Sequence, residues 1–283
     1  MVGIIFATLS ALSKGFEKVL HRFILIREDS LSYAFVWHIL TAVVFLPLFI
    51  IEFSLPKQSF AWLLVIISSA LWSIIAYVGF KAYSYLEVSI KTPIGKSRML
   101  FVLLLSVIFL KETLTPKKIL GTFLIFTGIV ILTYKRGKRF GSLKERGVQL
   151  TLLSAFLTSV VWLVDKYSTN FFNPGMYSFL VYFVPSIMLL PFTLRKKQEL
   201  KSLLKFRSGA VIFTVILGAA HYYLILRAFK LTEASIVVPI VELSTLIAVF
   251  SGIKFLKESK EVPKKIIAAM IVILGAVLIA GVT

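Results

Sequence analysis

Cysteine is absent from the 283 residues, which removes disulfides, thiolate metal sites and cysteine nucleophiles at once. Histidine is nearly absent too. The three that occur stand apart, and no His-Glu-x-x-His pattern is present, so neither a metal nor any other cofactor is indicated. Acidic residues are the next shortage, 13 against 32 Lys and Arg, for a formal net charge of +19. In a soluble chain that excess would suggest nucleic acid as partner. Here the basic residues gather in short breaks between apolar runs, so anionic lipid headgroups are the expected neighbours and no nucleic acid is. What the chain lacks most is polar length. Hydrophobic residues make up 58% of it and the mean hydropathy is +0.93, well above a soluble chain's roughly 45–50% apolar content. Before Lys14 there is no basic n-region and no small-residue cleavage site, so Val2 onward reads as mature protein.

A bilayer core of about 30 Å needs about 20 apolar residues per helix, and ten segments meet that: 2–20, 31–51, 60–83, 88–110, 116–134, 147–164, 175–194, 209–229, 234–255 and 263–282. All are expected to be helical, because hydrocarbon demands that every backbone polar group be paired within its own segment. The expected fold class is therefore all-α, integral and multi-pass, and the expected location a cell membrane.

The chain repeats itself. Residues 81–112 recur 146 positions later, with Pro93 matching Pro239, Ser89 matching Ser235 and Glu87 matching Glu233. Both copies close on Phe-Leu-Lys-Glu, at Glu112 and at Glu258. Gly3 and Ser10-Ala11 match Gly147 and Ser154-Ala155, Pro116-Lys117-Lys118 matches Pro263-Lys264-Lys265, and Gly128 matches Gly275. The Lys-, Arg- and Gly-rich stretch 135–146 is the natural joint, giving a first five-helix repeat over 1–140 and a second over 141–283. An odd helix count per repeat makes the second enter the membrane inverted relative to the first. The density of Lys and Arg in 135–146 and 195–207 puts those breaks on the cytoplasmic face and both termini outside, although Lys111, Lys117 and Lys118 fall on the opposite side.

These duplicated units, each with a fourth helix ending in Leu-Lys-Glu and a fifth opening with Pro-Lys-Lys and carrying a mid-helix glycine, resemble the EamA-type members of the drug/metabolite transporter superfamily. The place held here by Lys111 and Lys257 is usually a small residue in that family. The resemblance implies a central cavity between two halves and alternating access for small metabolites, most often by export.

Ionisable side chains in mid-bilayer cost roughly 2.5–3.5 kcal/mol each on insertion scales, so they mark candidate sites. The fourth helix carries Lys91, Lys96 and Arg98; at the position matching Lys96 the ninth carries Glu242. Lys96 and Arg98 are expected to receive a carboxylate or phosphate, with Glu242 meeting a substrate amine or carrying a proton. The rival reading is an internal salt bridge that joins the halves. On an ideal helix Lys91 and Arg98 share a face and Lys96 points away, unless Pro93 bends the helix. Pro93 and Pro239 each remove the amide that would bond the carbonyl of Ser89 or Ser235, which places both serines beside the site. Trp162, Tyr77 and Tyr222 fall within spans as candidate cavity lining, together with Trp37, Trp72 and Tyr223. His221 and His38 are expected either to relay protons or to donate to a neighbouring helix carbonyl. Lys14, Glu17 and Lys18 form a cluster that can neutralise itself. Asp165 and Lys166 end a helix and read as interfacial.

The expected function is a secondary transporter rather than an enzyme, moving a small polar metabolite such as an amino acid or similar zwitterion, with protons as the candidate coupling ion. A carrier of phosphorylated or nucleotide-linked compounds is the alternative within the class. An integral-membrane enzyme acting on lipid headgroups is the alternative outside it; that would want paired carboxylates or a Ser/His/Asp set at one interface, and none is evident.

Overall fold

Long apolar runs leave the backbone no water to bond, and helices are the outcome. The computed structural model describes residues 1–25, 28–83, 85, 94–133, 144–247 and 262–281, and all regular structure among them is helical. The helices are α1 (Val2–Leu25), α2 (Ser30–Ile51), α3 (Ala61–Tyr83), α4 (Arg98–Leu110), α5 (Pro116–Thr133), α6 (Arg146–Ser168), α7 (Pro174–Thr193), α8 (Lys197–Leu231), α9 (Ala234–Val241) and α10 (Val262–Ala280). Of these, α2, α6, α7 and the Arg207–Leu231 part of α8 are long and apolar enough to cross a membrane by length and composition; shorter apolar stretches lie in α3, α4, α9 and α10.

The chain wears its apolar residues outside. Ile51, Ile108, Phe109, Phe213 and Val277 are exposed, while Glu242, Asp165, Lys96 and Glu17 are buried. That distribution suits a lipid surround, where an outward Ile loses nothing and an outward carboxylate would.

Packing follows the sequence repeat. α1 lies on α8 as α3 lies on α6, α2 on α7, α5 on α10, α4 on α6 as α9 on α1, and α2 on α8 as α3 on α7. Exchanging every helix for the one five places away returns the same set of main contacts. α5 and α10 cross where an added Cβ on Gly121 would meet Gly275 O at 2.7 Å, and one on Gly275 would meet Gly121 O at 2.7 Å. Only glycine permits that approach.

The start of α1 and the end of α6 both adjoin Thr232, at the end of α8. A Cβ on Gly3 would overlap the Thr232 side chain, and Lys166 Nζ donates to Thr232 O at 2.8 Å. At the far end of α1, Asp29 caps α2 and accepts a hydrogen bond from Lys196 Nζ at 2.5 Å.

Segment limits differ from the sequence expectation in four places. α1 continues to Leu25, α6 continues to Ser168 rather than 164, and α8 begins at Lys197 rather than 209 because its first turns are an amphipathic extension of the apolar span. The fourth difference lies in the central helices. Around Lys96 the bonds run three residues back (Ser97 N to Ile94 O, Met99 N to Lys96 O, Leu100 N to Ser97 O), and around Glu242 the same pattern recurs (Leu243 N to Ile240 O, Thr245 N to Glu242 O, Leu246 N to Leu243 O). Both central helices thus tighten to 3₁₀ spacing at matched positions, which rotates successive side chains off their α-helical faces. Residues 84, 86–93, 134–143 and 248–261, among them Ser89, Lys91, Pro93, Glu258 and the joint, lie outside the described residues.

Two measurements bear on this framework. Lys111 ends α4 at φ 55°, ψ 32°, the left-handed region where an L side chain is strained and glycine is not. Lys111→Gly is expected to stabilise the protein by about 0.5–1 kcal/mol, read as a raised melting temperature in detergent; a lowered one would show that the Lys111 side chain supplies more than its backbone costs. At Asp29, partial burial alone would raise the carboxyl, but hydrogen bonds from Lys196 and from Ser32 hold it below the ordinary 3.8. A carboxyl lowered by folding contributes stability above its unfolded pKa and loses it as pH falls through the lowered value. Asn also caps helices well, so Asp29→Asn is expected to melt below wild type near neutral pH, with the gap closing once the pH drops below 3.8. A gap independent of pH would assign the loss to capping instead.

Candidate functional site

Glu242 is fully buried at the C-terminal end of α9. A helix C-terminus already carries negative potential, so a carboxylate there needs cations from elsewhere. Four basic side chains supply them. Lys96 Nζ donates to Oε2. Arg98 donates to Oε1 through both Nε (2.9 Å) and Nη2 (2.5 Å). Lys14 Nζ stands 3.6 Å from Oε1 and Lys18 Nζ 4.0 Å from Oε2, and Lys18 also donates to Ser244 Oγ at 2.9 Å.

Local sequence explains the convergence. Lys14 and Lys18 are one turn apart on α1 and face the same way. Between them Gly15 lets α1 press onto the turn after α9: a Cβ there would meet Ile247 Cβ at 2.6 Å. Lys96 and Arg98 flank the start of α4, and the 3₁₀ turn at Lys96 lets both reach one carboxylate, which an ideal helix would have prevented. Trp162 of α6 completes the cluster. Its ring lies 4.6 Å from Lys14 Nζ and 5.3 Å from Arg98 Cζ, positions that suit cation–π attraction.

Of the residues singled out from the sequence, Lys14, Lys18, Lys96, Arg98, Glu242 and Trp162 meet in this cluster. The other described ones go elsewhere. Ser235 donates through Oγ (2.5 Å) and its backbone N–H (3.0 Å) to Glu112 Oε2, while Ala234 N–H donates to Oε1 at 2.7 Å. Glu112, the last residue of the repeated word, thereby caps the N-terminus of α9. Tyr222 donates to Asp165 Oδ2 at 2.9 Å. His221 Nδ1 lies 2.6 Å from Ser10 Oγ, tying α8 to α1. Ser89 and Lys91 lie outside the described residues, as does the side chain of Tyr77 within α3.

Three expectations are corrected. Asp165 is not interfacial: it is fully buried and held by Ser68, Tyr177 and Tyr222, because α3, α7 and α8 close over the end of α6. The α1 cluster does not neutralise itself. Its lysines serve Glu242, whereas Glu17 Oε1 bonds His21 Nε2 at 2.9 Å, since Glu17 points toward Gly218 of α8. His38 bonds Ala34 O of its own helix at 2.7 Å rather than a neighbour's carbonyl.

Near Glu112 an open pocket of about 460 Å³ is lined by Met1, Thr113, Lys118, Lys166, Lys230 and Glu233, among others. Lys118 is buried there, donating to Thr113 O at 2.7 Å and to the Glu233 carboxylate.

Comparison with known proteins agrees with this architecture. An uncharacterized transporter from Archaeoglobus fulgidus is 28% identical over 246 residues, covering 84% of this chain and 82% of that protein. A solved crystal structure superposes with a TM-score of 0.79 over 98% of this chain and 95% of its own, at 14% identity, a likeness of fold alone. The EamA-like transporter family matches twice, over residues 1–134 and 145–281, and the chain, a membrane protein built of two such repeats, belongs to it.

Proposed function

We propose that this transporter moves a small polar metabolite with an anionic group, an amino acid or similar zwitterion, by alternating access between two five-helix halves, 1–140 and 141–283. The second half runs inverted relative to the first. That reading takes support from the start of α1 and the end of α6 both adjoining Thr232 and from the exchange symmetry of the main helix contacts. On it the chain crosses a cell membrane ten times and works as an exporter.

The observation that carries the substrate class is the convergence of four basic side chains on one buried carboxylate. Glu242 stands in for the substrate's anionic end. With no substrate bound it satisfies the cations, and a carboxylate or phosphate entering between α1, α4 and α9 competes with it for Arg98 and the lysines. A ligand shifts an equilibrium only by its differential affinity for two states, and a site closed on its own glutamate has such a difference built in. The excess of basic over acidic groups also favours a second reading, a carrier of phosphorylated compounds, since a phosphate can engage more of the four cations than a carboxylate can.

Uptake of radiolabelled amino acids and sugar phosphates into proteoliposomes separates these readings. Arg98→Gln leaves the Lys96–Glu242 pair intact and removes one charge-assisted donor, so KM for the accepted solute is expected to rise roughly tenfold or more with the melting temperature near wild type. A lowered melting temperature with KM unchanged would make the cluster a structural bridge. Glu242→Gln, which strands buried cations at a cost of about 3–5 kcal/mol, is expected to destabilise the protein on either reading.

A further inference from the structure

Asp165, another buried carboxyl, has no place in the substrate mechanism, and its surroundings differ in kind from those of Glu242. Ser68 Oγ (2.5 Å) and Tyr177 OH (2.8 Å) donate to Oδ1, and Tyr222 OH (2.9 Å) donates to Oδ2. Among the described residues no Lys, Arg or His forms an ion pair with it. The adjacent Lys166 turns away to the carbonyls of Phe229 and Thr232. The Trp72 indole N–H of α3 also acts on Asp165, while other polar groups of the packed helices are engaged elsewhere: His221 with Ser10, Tyr223 with Glu52, Arg98 with Glu242. Tyr182 touches only the Tyr222 ring from this side, at 5.2 Å.

The three side chains hydrogen-bonded to Asp165 are hydroxyls, and a hydroxyl can accept as well as donate. The cluster can therefore hold the ionised carboxylate with three donors or the protonated acid with one hydroxyl reversed, without moving a heavy atom. A proton on Glu242 would leave four cations unanswered. A proton on Asp165 removes a charge that no cation balances.

The repeat supplies the second observation. The offset of 144 that matches Gly3 to Gly147 and Ser10 to Ser154 also matches His21 to Asp165 and Tyr33 to Tyr177, and the offset of 146 matches Ser68 to Thr214. The matched residues form a matched cluster. His21 Nδ1 lies 2.6 Å from Tyr33 OH, Tyr33 OH donates to Thr214 Oγ1 at 3.0 Å, and His21 Nε2 bonds Glu17. The remaining charged groups there are also engaged, Lys14 and Lys18 at Glu242, Asp29 with Lys196, and Glu28 with Arg207 at 3.8 Å. Asp165 lies near the Met1 end of the bundle and His21 near the Asp29 end. A titratable group with a tyrosine and a small hydroxyl thus stands toward each face, at equivalent places of the two repeats.

We propose that Asp165 and His21 are paired proton-binding sites, one toward each face, through which the transporter takes up and releases its coupling ion; this rests on the transport reading above. Loss of charge at Asp165 weakens the bonds that pin α3, α7 and α8 to α6, since hydrogen bonds to an ionised group are roughly twice as strong as neutral ones. Trp162, one turn back on α6, carries that change to Lys14 and Arg98.

Infrared difference spectroscopy of the full chain in detergent, stepped in pH across neutrality, reads a protonated carboxyl by its C=O stretch. A reversible carboxylic-acid band is expected in wild type, lost in Asp165→Asn and kept in Glu242→Gln. Tyr222→Phe removes one donor to the ionised form and is expected to raise the midpoint by about one pH unit, a readout that remains should Asp165→Asn fail to fold. No titrating band, or one indifferent to both Asp165 and Tyr222, overturns the proposal. In proteoliposomes loaded with the pH dye pyranine, uptake of the labelled panel is expected to move lumenal pH in wild type. Asp165→Asn and His21→Gln are each expected to keep solute exchange and lose that movement. An unchanged pH response in His21→Gln overturns the pairing. A panel that wild type does not take up retires the transport reading and leaves the infrared result standing.

Discussion

The contact between Lys96 and Glu242 fixes the centre of this molecule. The two residues occupy matched positions of the repeat, 146 apart, and a residue can touch its own counterpart only at the axis that relates the two copies. At that place a perfect duplicate would set like charge against like, deep in apolar surroundings where repulsion is least screened. One copy has therefore changed sign. The departure from symmetry is thus a consequence of the symmetry, and Lys14, Lys18 and Arg98 collect where the single carboxylate stands.

α9 is governed from both its ends. A helix of this length spans about 12 Å, and each terminus leaves backbone groups to be satisfied. Glu112 takes two amides at one end, and at the other Glu242 answers the cations beside the last carbonyls. Both contacts come from the first repeat, so α9 belongs by packing as much to that half as to its own. The left-handed backbone at Lys111 turns the chain so that Glu112 reaches α9, and this gives a physical reason for the small residue usual at that place in the family.

How much of this was legible in the sequence differs from residue to residue. The duplication, the prolines and the swap of Lys96 for Glu242 are patterns along the chain, and they located the axis and its charge. Lys14 and Lys18 could be seen but not placed, because the decision between self-neutralising and serving Glu242 depends on how closely α1 approaches the turn after α9, which Gly15 sets. Asp165 was misread because its position near a helix end suggested water, whereas three other helices cover it. Its tyrosine and serine partners are scattered over 68–222 and share no spacing that a helix would impose. The match of Tyr33 to Tyr177 was present in the repeat, but a tyrosine among many aromatic residues carries no signal until its hydroxyl has a partner.

Glu242 and Asp165 divide the work that a single acidic group would otherwise combine. At Glu242 the neighbours are ammonium and guanidinium groups, which only donate, so the site answers anions and resists a proton. At Asp165 the bonded neighbours are three hydroxyls, which reverse, so the site tolerates a proton. Between them runs one turn of α6, from Trp162 under the cations to Asp165 under the hydroxyls. A rigid turn of helix is a short enough link for a change in charge at one end to alter packing at the other.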